Sequence, residues 1–203
     1  MERLRKKCIK EGHELVFFDP AHQIHNSCNG KAWQFKGSKG TKKIKANTGR
    51  KRINILGCVN AITKKVTTLI TEENCDKCTV TKFLSKLRRQ YRGKKKIYMI
   101  LDNARYNRSP VVMAKAKACN IELIYLPAYC PNLNLIERLW KFFKKIVVQN
   151  KYYEKFENFE KAIIQFFENI QKYKGELKSL LNFKFGIIKA IFIVINFEQI
   201  AVF

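Results

Sequence analysis

Residues 126–140 read LPAYCPNLNLIERLW, and this stretch decides how the rest of the chain is interpreted. It begins as the end of an apolar strand, turns through Pro127 and Pro131, and then enters a helix. Glu137 lies near the start of that helix, where a carboxylate either interacts favourably with the helix dipole or serves as a ligand. The choice between these two roles depends on which other acids lie beside Glu137.

Two further apolar runs end in aspartate. Residues 15–20 read LVFFDP and residues 97–102 read IYMILD, so Asp19 and Asp102 each stand at the carboxyl end of a predicted buried strand. An aspartate there is more often a turn or cap residue, but binding sites of open α/β sheets also form outside these strand ends. Three carboxylates in one place would repel one another, and a hard divalent cation such as Mg²⁺ or Mn²⁺ would relieve that repulsion.

The order of the remaining patterns predicts the fold class. Residues 52–62 and 65–71 flank a short polar turn and predict a β-hairpin, and residues 121–126 predict a third apolar strand. Helical spacing of apolar residues covers 79–91, 110–118, 136–147 and 153–170. The chain therefore predicts one mixed α/β domain with a mixed central sheet flanked by helices.

We divide the chain into three parts on composition. Residues 1–13 form a basic N-terminal lead, residues 14–170 the α/β domain, and residues 171–203 a C-terminal helical and apolar tail. The tail is apolar from Ile187 onward but is interrupted by Lys189 and Asn196. A membrane span needs about 20 clean apolar residues, so we expect no membrane partner.

The charge balance points to a polyanionic partner. Lys and Arg number 41 against 16 Asp and Glu, which gives a net charge of +25 and favours nucleic acid over a membrane surface. Such an excess is not needed by an enzyme of a small neutral substrate. The seven cysteines are an odd number without a signal peptide, which favours free thiols in a reducing compartment. Cys75 and Cys78 are more simply two thiols at a helix start than half of a zinc site.

Three motifs together carry a resemblance to a known family. FDPAH at 18–22, LDNARY at 101–106 and LPAYCPNLNLIE at 126–137 resemble the catalytic motifs of mariner-like DDE transposases, and most closely the bacterial insertion-sequence-630 family. The spacing agrees with that group, because 137 − 102 = 35 leaves 34 residues between the last two acids. The chain departs from many relatives at Asn107, where they have His, and at Leu135, where they have Pro.

The resemblance implies a ribonuclease-H-like fold and a transposase that cleaves and joins DNA at insertion-sequence ends with two Mg²⁺ (or Mn²⁺) ions. Asp102 would bridge both ions, Asp19 and Glu137 would each hold one, and Asn103 would orient Asp102. It also implies action as a homodimer on DNA in the bacterial cytoplasm. Because the first predicted strand starts near Leu15, a separate helix-turn-helix chain is the expected reader of the DNA ends.

Several basic residues are candidates for contacts with DNA phosphates. Four are near the acids in sequence and four lie in a Gly- and Lys-rich segment: Arg105, Arg138, Lys141, Lys144, Lys42, Lys43, Arg50 and Arg52. Trp33 is a candidate for base stacking or for packing on an edge strand, whereas Trp140 is expected in the core. Two alternatives remain: a folded but inactive nucleic-acid-binding remnant, and a ribonuclease acting on RNA–DNA hybrids, which the 34-residue spacing disfavours.

Overall fold

The computed structural model describes residues 1–28, 45–93, 96–127 and 133–183. Its five strands are β1 (Glu14–Asn26), β2 (Thr48–Asn60), β3 (Val66–Thr71), β4 (Ile97–Leu101) and β5 (Ile121–Tyr125). They form one sheet in the order β3-β2-β1-β4-β5. The β2 strand is antiparallel to β1 and β3, whereas β1, β4 and β5 run parallel. The mixed sheet expected from the sequence is confirmed.

Helices cover both faces of this sheet. They are α1 (Glu2–Glu11), α2 (Lys77–Gln90), α3 (Pro110–Ala118), α4 (Ile136–Phe143), α5 (Phe156–Glu168) and α6 (Lys174–Leu180). Alternate residues of β1 point to opposite faces: Val16 and Phe18 pack with α2 and α3, whereas Leu15 and Phe17 join the core that contains α4 and α5. A π-helical turn, Lys144–Val148, extends α4.

The β1 strand is longer than the sequence predicted. We expected it to close at Pro20, but it continues to Asn26, with Pro20 opposite Leu56 of β2. The β4 strand pairs only with Glu14–Phe17, so beyond Phe17 one edge of β1 has no strand beside it among the described residues. Proline is tolerated on such an edge because its missing N–H is not required there.

Most of the basic N-terminal lead is helical, an element that the sequence patterns did not predict. The α1 helix ends at Gly12, whose φ of 69° is left-handed and whose N–H donates to the Cys8 carbonyl. Cys8 is fully buried in the same core as Leu15. The helix buries little apart from Cys8, and its dense basic residues gave no clear apolar periodicity from which to predict it.

Some predicted features lie outside the described residues. These are Trp33, Lys42, Lys43, the strand-like patch at 32–35 and the apolar tail from Ile187. Within the part of the chain that the structure describes, no helix has the length and hydropathy needed to span a bilayer.

Candidate metal and nucleic-acid site

The parallel pairing of β1 with β4 brings Asp19 beside Asp102. Phe17 pairs with Ile100 in the last register position of the two strands. Asp19 and Asp102 each come two residues later, so the same register sets Asp19, in the middle of β1, beside Asp102 at the carboxyl end of β4. Asp102 directly follows β4 and is half-buried, as is Asp19.

A buried amide holds Asp102 in position. Asn107 is fully buried in the 3₁₀ turn Arg105–Arg108, and its Nδ2 donates to Asp102 Oδ1 at 2.8 Å. The backbone N–H of Ala104 donates to the same oxygen at 3.2 Å. Both bonds go to Oδ1, so Oδ2 is the carboxylate oxygen that they leave available.

The structure gives Asn103 a different role from the one we expected. Its Nδ2 donates to the Leu126 carbonyl at 2.6 Å, and its Oδ1 accepts from Arg108 Nε at 3.1 Å. Asn103 therefore ties the end of β4 to the end of β5, and Asn107 makes the contact to Asp102. The geometry explains the difference, because the 3₁₀ turn folds residue 107 back over the aspartate.

Glu137 approaches from the first turn of α4. Four apolar residues of this helix are buried against the sheet, namely Ile136, Leu139, Trp140 and Phe143, which confirms the predicted apolar face. Asn134, just before the helix, is 4% exposed, and its Nδ2 donates to the Phe18 carbonyl at 3.2 Å. This bond ties the start of α4 to the residue preceding Asp19. Leu135 has a φ of −60°, the angle that a proline would impose.

Trp140 contributes more than the core packing that the sequence predicted. Its Nε1 donates to Asp19 Oδ2 at 3.1 Å, while its ring is 3% exposed. It lies three residues after Glu137, and so within one helical turn of it. A buried indole N–H usually finds a hydrogen-bond acceptor. The three-residue spacing from Glu137 was the only feature of the sequence that pointed to an acceptor near the carboxylates.

Gly57 makes room for Trp140. It pairs with Asp19 across β1 and β2, and a Cβ built on it would lie 2.5 Å from Trp140 Cη2 and 2.9 Å from Cζ2. Because real Cβ atoms do not approach so closely, any larger residue at position 57 must displace the indole that bonds to Asp19.

We therefore expect Gly57→Ala to lower the free energy of unfolding by about 1–3 kcal/mol through overpacking. The measurement is urea unfolding followed by circular dichroism. Gly175→Ala is the matched control, since a Cβ there meets nothing within 4 Å and lies in a helix; it should stabilise slightly. Equal stability of Gly57→Ala and wild type would contradict the close packing.

The electrostatics show that Glu137 and Asp102 both act on the carboxyl group of Asp19. Burial raises the pKa of Asp19 to about 7, and repulsion by Glu137 and then by Asp102 adds to the effect, while the Trp140 hydrogen bond opposes it. Burial also raises the pKa of Tyr106, with further contributions from Asp102, Cys75 and Asp19. Sequence reasoning did not identify Tyr106 or Cys75 as neighbours of the carboxylates.

The donor set suits a hard cation, although it is not a ready-made cage. Among the described residues, no group of three His, Cys, Asp or Glu side chains is close enough to enclose an ion. Mg²⁺ does not require such a cage, because it binds one or two carboxylates and retains waters and substrate phosphates. Repulsion felt at Asp19 is the kind of strain that a divalent cation would relieve. The buried Oδ1 atoms of Asn107 and Asn134 lack a donor within the described ranges and are also oxygen acceptors.

The predicted DNA contacts separate into two groups. Five of them have exposed side chains, namely Arg105, Lys141, Lys144, Arg50 and Arg52. Arg138 instead donates to the carbonyls of Leu180 and Asn182, at 3.2 and 2.8 Å. These bonds direct Arg138 toward the end of α6 and not toward the carboxylates.

The paired thiols lie where the sequence placed them. Asp76 caps α2 by accepting from the N–H groups of Cys78 and Thr79. Cys75 is half-buried just before the cap and Cys78 is exposed in the first turn, and both are free thiols.

Comparison with known proteins identifies the family. The model of the DDE superfamily endonuclease domain matches residues 14–160. The chain belongs to the DDE superfamily of endonucleases. A relative from Shigella sonnei, the insertion element IS630 uncharacterized 39 kDa protein, is 25% identical over 162 residues. That alignment covers 79% of this chain and 46% of the relative, so the chain spans about half the length of the curated relative.

Solved structures of the Mos1 transposase have the same fold. The Mos1 paired-end complex with left transposon end is 16% identical with a TM-score of 0.61, over 89% of this chain and 58% of that one. The Mos1 mariner paired-end complex with Mn is also 16% identical, with a TM-score of 0.60, over 89% of this chain and 59% of that one. At this identity the similarity shows the fold alone, which confirms the ribonuclease-H-like fold class, while the family rests on the domain match over residues 14–160.

Proposed function

We propose that this chain is a transposase catalytic core that cleaves DNA at insertion-sequence ends and transfers the cut strand, with Mg²⁺ or Mn²⁺ bound by Asp19, Asp102 and Glu137. The observation that carries the proposal is the geometry: the β1–β4 register sets Asp19 beside Asp102, and the bond from Trp140 to Asp19 brings the first turn of α4, which carries Glu137, to the same place. A fold without a cation partner would have little reason to keep three acids within reach of one another in a chain of net charge +25.

Each of the two aspartates is held by one hydrogen bond from a neighbouring side chain. Asn107 fixes one oxygen of Asp102, and Trp140 fixes Oδ2 of Asp19, so each aspartate presents its second oxygen to the site. A carboxyl group binds a metal ion only after it has lost its proton. Since the pKa of Asp19 is about 7, metal binding there should depend on pH around neutrality. Bound divalent ions would supply Lewis acidity that activates the attacking oxygen and stabilises the leaving one.

The exposed basic residues would position the DNA backbone. Arg105 follows Asp102 closely, and Lys141 lies one helical turn beyond Glu137, so both can reach phosphates near the carboxylates. The substrate that the proposal assigns is double-stranded DNA, since the Mos1 complex named above contains a transposon end. By the same family resemblance we propose that two copies act together in the bacterial cytoplasm and that a helix-turn-helix segment reads the ends.

Metal binding can be tested without DNA. We expect 1 mM Mn²⁺ at pH 8 to raise the melting temperature of the wild type by several degrees, because an ion at about 100 times its Kd stabilises the fold by about 2.7 kcal/mol. Asp102→Asn should lose most of this rise. The measurement is differential scanning fluorimetry with and without EDTA.

Glu122→Gln is the control, because Glu122 is an exposed carboxylate on β5. Its Oε2 lies 3.0 Å from Lys96 Nζ. It should keep the full response to Mn²⁺. A wild type that does not respond at all would favour the inactive nucleic-acid-binding remnant over the enzyme.

A further inference from the structure

A basic groove lies at the end of the sheet opposite to the carboxylates. It runs between α1, the turn joining β2 to β3, and α6, and it consists of adjoining cavities of about 770 and 250 Å³ that share Thr63, Lys64 and Lys174. Its charged lining residues are Glu2, Arg5, Lys64, Lys65, Lys174 and Lys178. We call these cavities the turn groove.

The turn groove is separate from the acidic site. Ala61 of the turn donates its N–H to the Leu15 carbonyl at 2.8 Å, which places the turn beside the start of β1. Asp19 lies four residues further along that strand, or about 13 Å at roughly 3.3 Å per residue. A ligand in the groove would therefore not occupy the carboxylate site.

Among the residues that the structure describes, the positive charge of the groove is poorly compensated. Its lining holds five basic side chains and one acid, Glu2, which pairs with Arg5 at 3.1 Å. Burial lowers the pKa of Lys64, and repulsion by Arg5 and Arg138 lowers it further. The cations therefore oppose one another here, much as the carboxylates do around Asp19.

Two of these cations are held in place. Lys64 Nζ donates to the Ala61 carbonyl at 2.6 Å, and the Arg5 guanidinium lies 5.3 Å from the centre of the Phe183 ring. Arg5 Nε is buried and has no acceptor among the described residues.

We propose that the turn groove binds the phosphate backbone of DNA at a place distinct from the carboxylate site. Lysines act as point charges toward phosphates, and several of them along two adjoining depressions suit a chain of phosphates better than one small anion. That the polyanion is DNA rests on the proposed function, whereas the presence of an anion site rests on the groove alone.

The test compares two triple charge reversals in the full-length chain. Lys65→Glu, Lys174→Glu and Lys178→Glu alter exposed residues of the groove, and Lys86→Glu, Arg89→Glu and Lys117→Glu make the same charge change on exposed positions of α2 and α3. Binding of a fluorescent 30-base-pair duplex is measured by anisotropy in EDTA over a range of salt concentrations. Cleavage is not needed, so failure of the catalytic proposal leaves this result interpretable.

We expect the groove triple to weaken binding by about tenfold or more at 100 mM salt. The slope of the logarithm of the binding constant against the logarithm of the salt concentration should become shallower by about 2 to 3, since each phosphate contact contributes about 0.9 to it. The α2–α3 triple should have less than half of either effect. Equal losses in both triples, or no loss in the groove triple, would overturn the proposal. So would a groove triple that loses binding to phosphatidylserine vesicles but keeps binding to the duplex.

Folding of each triple is checked by thermal melting. If the groove triple does not fold, the neutral pair Lys174→Gln and Lys178→Gln replaces it, because both side chains are exposed on α6. This pair should still weaken duplex binding severalfold and lower the salt dependence by about 2. Wild-type affinity in the folded pair would overturn the proposal equally.

Discussion

Replacing Asp19, Asp102 or Glu137 by the corresponding amide should reduce metal-dependent nicking of supercoiled plasmid DNA by about 1,000-fold or more. Each amide keeps the shape of the side chain but removes a charge that the metal ions need, and such electrostatic losses cost rate by factors of this order. Asp19→Asn, Asp102→Asn and Glu137→Gln should keep their affinity for the same DNA in EDTA.

The matched control for these variants is Glu122→Gln, which changes an exposed carboxylate on β5 and should nick DNA at the wild-type rate. Undiminished nicking by any one of the three amide variants would remove that residue from the site. An RNA–DNA hybrid of the same sequence is the second substrate. A strong preference for the hybrid would favour the ribonuclease alternative.

Asp19→Asn should also stabilise the metal-free protein at pH 8, on the order of 2 kcal/mol. The folded pKa of Asp19 is about 7 against an ordinary value of 3.8, so the folded state holds a proton that the unfolded state releases. Stability from this group is complete below about pH 3.8 and is lost as the pH rises through about 7. An asparagine cannot ionise, removes the repulsion with Glu137 and Asp102, and can still accept from Trp140.

The measurement is urea unfolding in EDTA between pH 5 and pH 8, where the advantage of Asp19→Asn should grow with pH. Asp76→Asn is the control, because hydrogen bonds from the Thr79 backbone lower the pKa of this exposed helix cap. Asparagine caps helices well, so that variant should gain nothing at pH 8. An Asp19→Asn protein that is less stable than the wild type at pH 8 would contradict this prediction. It would mean that the metal-free fold already neutralises the charge of Asp19. Mn²⁺ should reverse the order by stabilising only the wild type.

The central strands of the sheet could be predicted from the sequence because short apolar runs precede Asp19 and Asp102, whereas the role of the three acids stays a prediction. Parallel strands of this kind are buried on both faces, so their sequences are continuous runs of apolar residues. The candidate role of Glu137 came from the family resemblance, whose spacing leaves 34 residues between the last two acids. Each of these signals is a local pattern within one strand or one helix.

What the sequence could not supply were contacts between residues distant along the chain. The Trp140 bond to Asp19 spans 121 positions, and the Asn134 bond to the Phe18 carbonyl spans 116. Gly57 gave no signal of its own, since only the crossing of α4 over β2 shows why a side chain cannot fit there. Arg138 was expected near DNA from its neighbours in sequence, but the helix directs it toward α6.

Anomalous scattering from crystals grown with Mn²⁺ tests the central claim most directly. The account predicts one manganese peak bound by Asp19 and Asp102 and a second near Glu137. The distance from each peak to the nearest carboxylate oxygen should be roughly 2.1 Å, as for other small hard divalent ions. Both peaks should disappear in Asp102→Asn crystals grown in the same way. Manganese bound elsewhere, with none at Asp19 and Asp102, would contradict the account.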